Sequence, residues 1–208
     1  MPAGSLVAFW GVALLLIIVP GADWAFTIGT GIRGRSVVPA VGGLVLGYTG
    51  LTVVVAAGVG ALVADSPRAL TVLTVVGGGY LMWRGARTLA APSAPDVTHA
   101  AAAAPRSGTG WATLAHGVAV SGLNPKGLLV FVAVLPQFAD PGRTWPPAVQ
   151  MSALGLVFVL TCAVFYLALG GMARTVLRAR PAAARVAARL SGAGMIVVGA
   201  VLIADRLT

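Results

Sequence analysis

Two apolar stretches in this chain are long enough to cross a bilayer, yet each is interrupted near its middle. Residues 5–31 break at Pro20-Gly21-Ala22-Asp23, and residues 112–135 break at Asn124-Pro125-Lys126-Gly127. Hydrocarbon offers no water to the backbone groups that a break sets free. Such breaks are tolerated only inside protein or beside a wet cavity. One interruption in each half of a membrane chain points to a transported substrate's site near the bilayer midplane.

Composition argues for the same setting. The 208 residues are 58% hydrophobic and only 9% charged, with a mean hydropathy of +0.95, whereas soluble domains carry about 25% charged residues. No polar stretch is long enough to fold separately, so residues 1–208 read as one transmembrane domain. The net charge of +9 does not indicate nucleic acid. The arginines lie between apolar runs, where anionic lipid head groups meet them. Cys162 is the single cysteine, which excludes an internal disulfide or a thiol relay. It reads as a small buried hydrophobe, and no Cys/His spacing suggests a metal site or a cofactor. No basic residue precedes Arg33, so residues 5–31 lack the positive region of a signal peptide and read as an uncleaved first span.

About 20 apolar residues are needed to cross roughly 30 Å of hydrocarbon. Six segments qualify, at about 5–31, 37–63, 69–90, 112–135, 147–172 and 188–205, the last crowded at its start by Arg185 and Arg189. Odd-numbered connections are assigned Arg33, Arg35, Arg84, Arg87, Arg106, Arg174, Arg178, Arg180, Arg185 and Arg189. Even-numbered ones hold Arg68 and Arg143. Ten against two is a strong positive-inside bias, predicting cytoplasmic odd connections and external termini. Residues 91–110, with Pro92, Pro95, Pro105 and a run of alanines, read as a linker between repeats at about 5–90 and 112–205. Three spans per half invert the second half relative to the first. The expected fold class is an all-α integral membrane protein with six transmembrane helices in two inverted three-helix repeats. The first helix of each repeat is broken at mid-membrane. Glycine pairs such as Gly43-x-x-x-Gly47 read as surfaces for close helix contact, and glycine-rich faces also leave room for a homodimer.

At the second break, Asn124 suits an N-cap and Pro125 the first helical position, so a half-helix is predicted to restart there. Lys126 then stands in its first turn, the wrong sign for the helix dipole. A lysine at bilayer centre also costs about 2.5 to 3.5 kcal/mol on insertion scales. A nearby anion relieves both penalties. At the first break Pro20 is the expected start of the half-helix, Gly21 loosens the chain, and Asp23 takes the first turn, where negative charge is favoured. Asp23 is the one acidic residue deep in a span, since Asp65, Asp96, Asp140 and Asp205 lie at segment ends or in the linker. Inversion of the halves points the two half-helix starts at one another. Asp23 and Lys126 then either form a standing ion pair that ties the halves together or flank a small ligand, and physics alone weighs these evenly.

In the second case a carboxylate takes Lys126 and the half-helix amides while an ammonium takes Asp23, the pattern of an amino acid. Candidate substrate-binding residues are therefore Pro20, Gly21, Asp23, Asn124, Pro125 and Lys126, with Tyr48 and Tyr166 lining the cavity. Thr27, Thr52 and Ser121 are weaker candidates, because hydroxyls routinely bond helix carbonyls. His116 reads as a polar residue near the interface, and Trp10, Trp24, Trp111 and Trp145 mostly as interface anchors.

At these residues the chain resembles the bacterial LysE/RhtB-type family, exporters of lysine and of homoserine and threonine. Pro20-Gly21-Ala22-Asp23 is similar to the family's Pro-Gly-Pro-Asp break, with Ala22 where proline is usual. Leu123-Asn124-Pro125-Lys126, leading to Leu135-Pro136-Gln137-Phe138, resembles a second family pattern, and Gly77-Gly78-Gly79-Tyr80-Leu81 a third. The resemblance implies export of amino acids across the bacterial inner membrane, driven by protons, with Asp23 the natural proton carrier. Amino acid, protons and lipids are then the partners. One deep acid against one deep base suits a zwitterion, so a small neutral amino acid is expected. Export of basic amino acids, or of a cation such as cadmium, is the alternative, although soft metals want thiolates. A membrane-embedded structural or redox protein is the alternative from another class. A redox conduit needs a cysteine pair, and Ser121, His116 and Asp23 do not compose an enzyme's nucleophile and base.

Overall fold

The computed structural model describes residues 3–65, 67–90, 109–140, 142, 144–173 and 181–207. Among them every regular element is helical: α1 (Ala3–Ile18), α2 (Ala22–Ile32), α3 (Val38–Asp65), α4 (Pro67–Ala90), α5 (Gly110–Gly122), α6 (Pro125–Leu129), α7 (Pro147–Gly171) and α8 (Pro181–Leu207). From α6 the chain continues as a π turn, Val130–Val134, and a 3-10 turn, Leu135–Phe138.

Both expected interruptions are present. α1 and α2 meet at 59°, and α5 meets the stretch Lys126–Phe138 at 56°. The first restart comes slightly later than Pro20. Gly21, in extended backbone, is the N-cap of α2, and Asp23 is the helix's second residue. Glycine is costly inside a helix and well suited to a cap, so the boundary settles on Gly21 rather than on the proline before it. At the second restart Asn124 is the N-cap, its side chain accepting from the Lys126 amide at 3.1 Å, and Pro125 is the first helical residue. The half-helix that follows is regular for only five residues before the π turn. Pro136 has no N–H for the carbonyl of Val132, four residues back, and one residue on the Gln137 side chain donates to the carbonyl of Ala133. The chain reversal after α2 uses Gly34 at φ 73°, with the Gly34 amide on Gly31 and the Arg35 amide on Thr30. That pairing ends a helix through a left-handed residue, where glycine carries no Cβ penalty.

Small residues set the helix crossings. A Cβ on Gly43 would collide with the Leu114 carbonyl, and one on Gly47 with Ser121. Because residue 43 meets residues 114 and 117 while residue 47 meets 118 and 121, α3 and α5 run parallel. Gly78 abuts Gly199 and Gly85 abuts Gly192, so α4 and α8 run antiparallel. α4 also folds back along α3. Tyr48 stacks on Phe131 and Gly77 abuts Ala133, although 29 residues of unbroken helix would hold Tyr48 and Gly77 about 43 Å apart.

α7 buries Phe158, Cys162 and Tyr166 on one side and exposes Leu156, Leu160, Val164 and Leu167 on another. An apolar stripe of that length is a liability in water and suits a lipid environment. Val38–Gly58 and Pro147–Gly171 are each long and apolar enough to cross a bilayer, as are the two bent pairs. α4 and α8 are 24 and 27 residues long. Most of the linker expected at 91–110, with Arg106, lies outside the described residues, as do Arg174, Arg178 and Arg180. Trp10, Trp111 and Trp145 are exposed. Trp24 corrects the anchor reading: it is buried, and its Nε1 donates to the Ile17 carbonyl at 2.9 Å, bracing α2 against α1.

The glycine crossings generate a paired test. Gly43→Ala should lower stability in detergent by about 1 to 3 kcal/mol, the range for overpacking a tight site, because a backbone carbonyl blocks the new methyl. Gly50→Ala, with nothing within 4 Å of its Cβ position, should melt like the parent or slightly above it. Equal melting temperatures for the two variants would contradict the crossing.

Candidate functional site

The two breaks meet in the core. Asp23 is buried on α2 and accepts three hydrogen bonds from three other parts of the chain. Tyr48 on α3 donates to Oδ2 at 2.6 Å, and Tyr166 on α7 donates to the same oxygen at 3.3 Å. Asn124 Nδ2, at the second break, donates to Oδ1 at 3.1 Å. All three donors are neutral. They and the amino end of α2 offset the desolvation that a buried carboxylate suffers, and the carboxylate still has lone-pair capacity for another donor.

Lys126 is buried beside this cluster but does not bond Asp23. Its Nζ donates to the carbonyls of Leu16 and Val19 at 3.0 and 3.2 Å. Leu16 lies in the last turn of α1, where its carbonyl also accepts the Val19 amide at 3.3 Å, and Val19 lies just past the helix end, where the dipole is negative. The lysine of one break therefore caps the helix that the other break cuts short. Gly21 lies beside it: a Cβ there would sit 3.8 Å from Nζ, in van der Waals contact. Of the two readings open from sequence, the standing Asp23–Lys126 ion pair is not the contact that joins the halves. Two separate bridges join them, Asn124 to Asp23 and Lys126 to α1. An ammonium has three N–H donors, and two are engaged here.

The sequence-derived candidates thus converge. Asp23, Tyr48, Tyr166 and Asn124 form one hydrogen-bonded group, Gly21 and Lys126 lie against it, and Pro20 and Pro125 frame the two restarts. The weaker hydroxyls mostly bond their own helices, Thr52 to the Tyr48 carbonyl and Ser121 to that of Gly117. Thr27, one turn beyond Asp23 on α2, is buried with its hydroxyl unpartnered among the described residues. His116 is exposed, its ring 5.2 Å from that of Phe26.

Three contributors were not anticipated. A Cβ on Gly127 would come within 2.7 Å of Tyr48 Cε1, so glycine after Lys126 is what lets the Tyr48 ring lie against α6 and reach Asp23. Phe131 and Phe158 box that ring, with centroids 5.8 and 5.1 Å away. The signal for Gly127 was present, a glycine inside the first turn of a half-helix, where it weakens the helix unless something packs closely upon it. Among the described residues no three His, Cys, Asp or Glu side chains gather as a metal site would require.

Comparison with known proteins places the chain in a family. Residues 14–206 match the family described as LysE type translocator. The chain is 32% identical over 164 residues to an uncharacterized membrane protein of Vibrio cholerae, covering 76% of this chain and 75% of that one. It is 31% identical over 163 residues to a leucine efflux protein of Klebsiella pneumoniae, with coverage of 76% and 75%. A leucine efflux protein of an Enterobacter species is 31% identical over 136 residues, covering 64% and 62%. No solved structure matches the chain. With both breaks inside a match that runs nearly end to end, this chain belongs to the LysE type translocator family.

Proposed function

We propose that this protein exports a small neutral amino acid across the bacterial inner membrane and draws on the proton gradient through Asp23. The observation that carries the reading is a buried carboxylate held, among the described residues, by three neutral donors, beside a buried lysine held by the carbonyls of Leu16 and Val19. Each charge is kept in place without being cancelled by the other. A zwitterion entering between them offers its ammonium to Asp23 and its carboxylate to Lys126, with Asn124 and the α6 amino end in support. Names of relatives as leucine efflux proteins favour an aliphatic substrate. Gly21, Pro20 and Pro125 serve the site by keeping both restarts open to a ligand.

The proposed frame is six spans in two inverted repeats, with odd connections in the cytoplasm. Three features support it: nearly equal bends of 59° and 56°, α3 running parallel to α5, and the third helix of each half, α4 and α8, packed on one another. A potential of about 100 mV supplies about 2.3 kcal/mol per charge moved, enough for roughly a 40-fold gradient per proton at about 1.4 kcal/mol per tenfold.

Asp23→Asn should insert normally yet lose uphill efflux in energised vesicles; full gradient-driven transport by that variant would remove Asp23 as the proton carrier. Lys126→Ala should raise the KM for amino-acid counterflow by roughly tenfold or more, a loss of about 1.4 kcal/mol; an unchanged KM would sink its proposed role. The two tyrosines should rank by their geometry. Tyr48→Phe, which deletes the 2.6 Å bond, should impair transport more than Tyr166→Phe, which deletes the 3.3 Å one. The reverse ranking would show that hydrogen bonding to Asp23 is not what these hydroxyls contribute.

A further inference from the structure

Arg84 falls among the cytoplasmic topology charges when the sequence is read alone, but its position in the fold is different. It lies inside α4, six residues before the helix ends at Ala90. The side chain is half-buried, and its Nε is buried with no hydrogen-bond partner among the described residues. An arginine that merely snorkels to an interface keeps its charged head wet.

Its direction follows from α4's own packing. Gly77 abuts Ala133 in the π turn, whereas Gly78 and Gly85 abut α8. At about 100° per residue, Arg84 stands within roughly 20° of Gly77 around the helix and about 100° from Gly85. It therefore faces the second broken span and not α8. Its level follows too. α4 folds back along α3, which runs parallel to α5, so α4 opposes the stretch after the second break. Seven residues beyond Gly77 is Arg84; seven residues before Ala133 is Lys126. Both steps cover about 10 Å of helix, which brings the two cations to one height.

Among the described residues neither cation has an ion-pair contact with a carboxylate of its own. Asp23 holds Tyr48, Tyr166 and Asn124. Asp205 lies six residues past Gly199, on the far side of the Gly78 crossing from Arg84. Asp65 ends α3, about 26 Å along the helix from Tyr48, and Asp140 lies about 20 Å along the chain from Lys126 at helical rise. Asp96 is outside the described residues. Lys126 is buried and Arg84 half-buried, and two cations facing one space repel one another unless an anion joins them.

We propose that Arg84 is the second cation of the carboxylate subsite: with Lys126 it clamps the substrate's carboxylate, while Asp23 takes the ammonium. This rests on the amino-acid reading above and extends it. Arginine suits the task because its planar fork meets both carboxylate oxygens, leaving Lys126 to keep its hold on α1. The clamp also explains how a site with two deep cations and one deep acid accepts a zwitterion. It recognises the carboxylate more strongly than the rest of the molecule, so esters and amides of the substrate should be poor competitors.

The test is leucine counterflow in proteoliposomes, with leucinamide as the carboxylate-free competitor. Parent, Arg84→Gln and Arg84→Lys proteins are compared at equal reconstituted amounts. Arg84→Gln should raise the leucine KM about tenfold or more with little change in maximal rate, and should lose most of the parent's preference for leucine over leucinamide. Arg84→Lys, which keeps charge but not the fork, should fall between. The penalty should be the same in vesicles with and without anionic lipid. An unchanged KM and preference in an active Arg84→Gln protein overturns the clamp while leaving the export reading intact. A penalty confined to anionic vesicles assigns Arg84 to a lipid phosphate and also overturns it. Absence of counterflow by the parent with any amino acid overturns both readings.

Discussion

Backbone groups freed at a helix break inside hydrocarbon must find partners within the protein, and this requirement organises the molecule. Each break is completed by the other half of the chain. Lys126 reaches across to the last carbonyls of α1, and Asn124 both caps its own half-helix and holds Asp23 of the opposite break. Neither break is stable alone, because the helix end it creates would face lipid with unmet amides or carbonyls. The two halves are joined at their breaks as well as along the α3–α5 and α4–α8 crossings.

That arrangement explains why charges of opposite sign lie so close without neutralising one another. Lys126 is drawn to the negative end of α1, and Asp23 sits at the positive end of α2, each served by a helix dipole of the right sign. Tyr48 is the element that couples them. Its hydroxyl holds Asp23, its ring lies on Gly127 next to Lys126, and Phe131 and Phe158 keep the ring in place. Any group that displaces a partner of Asp23 or Lys126 therefore disturbs the contacts between α1, α3 and α6 together. That is the kind of coupling by which occupancy of a small site biases the packing of whole helices.

Much of the site was legible in the sequence because helix-breaking residues act locally. Asn124 and Pro125 announce a restart through capping chemistry that needs no knowledge of neighbours, and they restart a helix as read. Asp23 and Lys126 stand out because charge in an apolar run is costly wherever the run goes. Less legible were residues whose meaning depends on a partner. Trp24 looks like an interface anchor until α1 is seen beside it. Arg84 looks like a topology charge until the direction of α4 is known. Gly127 matters only because a tyrosine ring 79 positions earlier rests upon it.

The sequence by itself determined that the chain is helical and apolar, where two of its helices fail, and which charges stand at the failures. These follow from hydrogen-bonding geometry and from the solvation of single residues, and both are properties of a short stretch of chain. The tertiary structure alone decided that Lys126 answers α1 and not Asp23, and that Tyr48 and Tyr166 both reach the Asp23 carboxylate. Those outcomes depend on which way one helix turns toward another, and close glycine contacts far along the chain set that rotation.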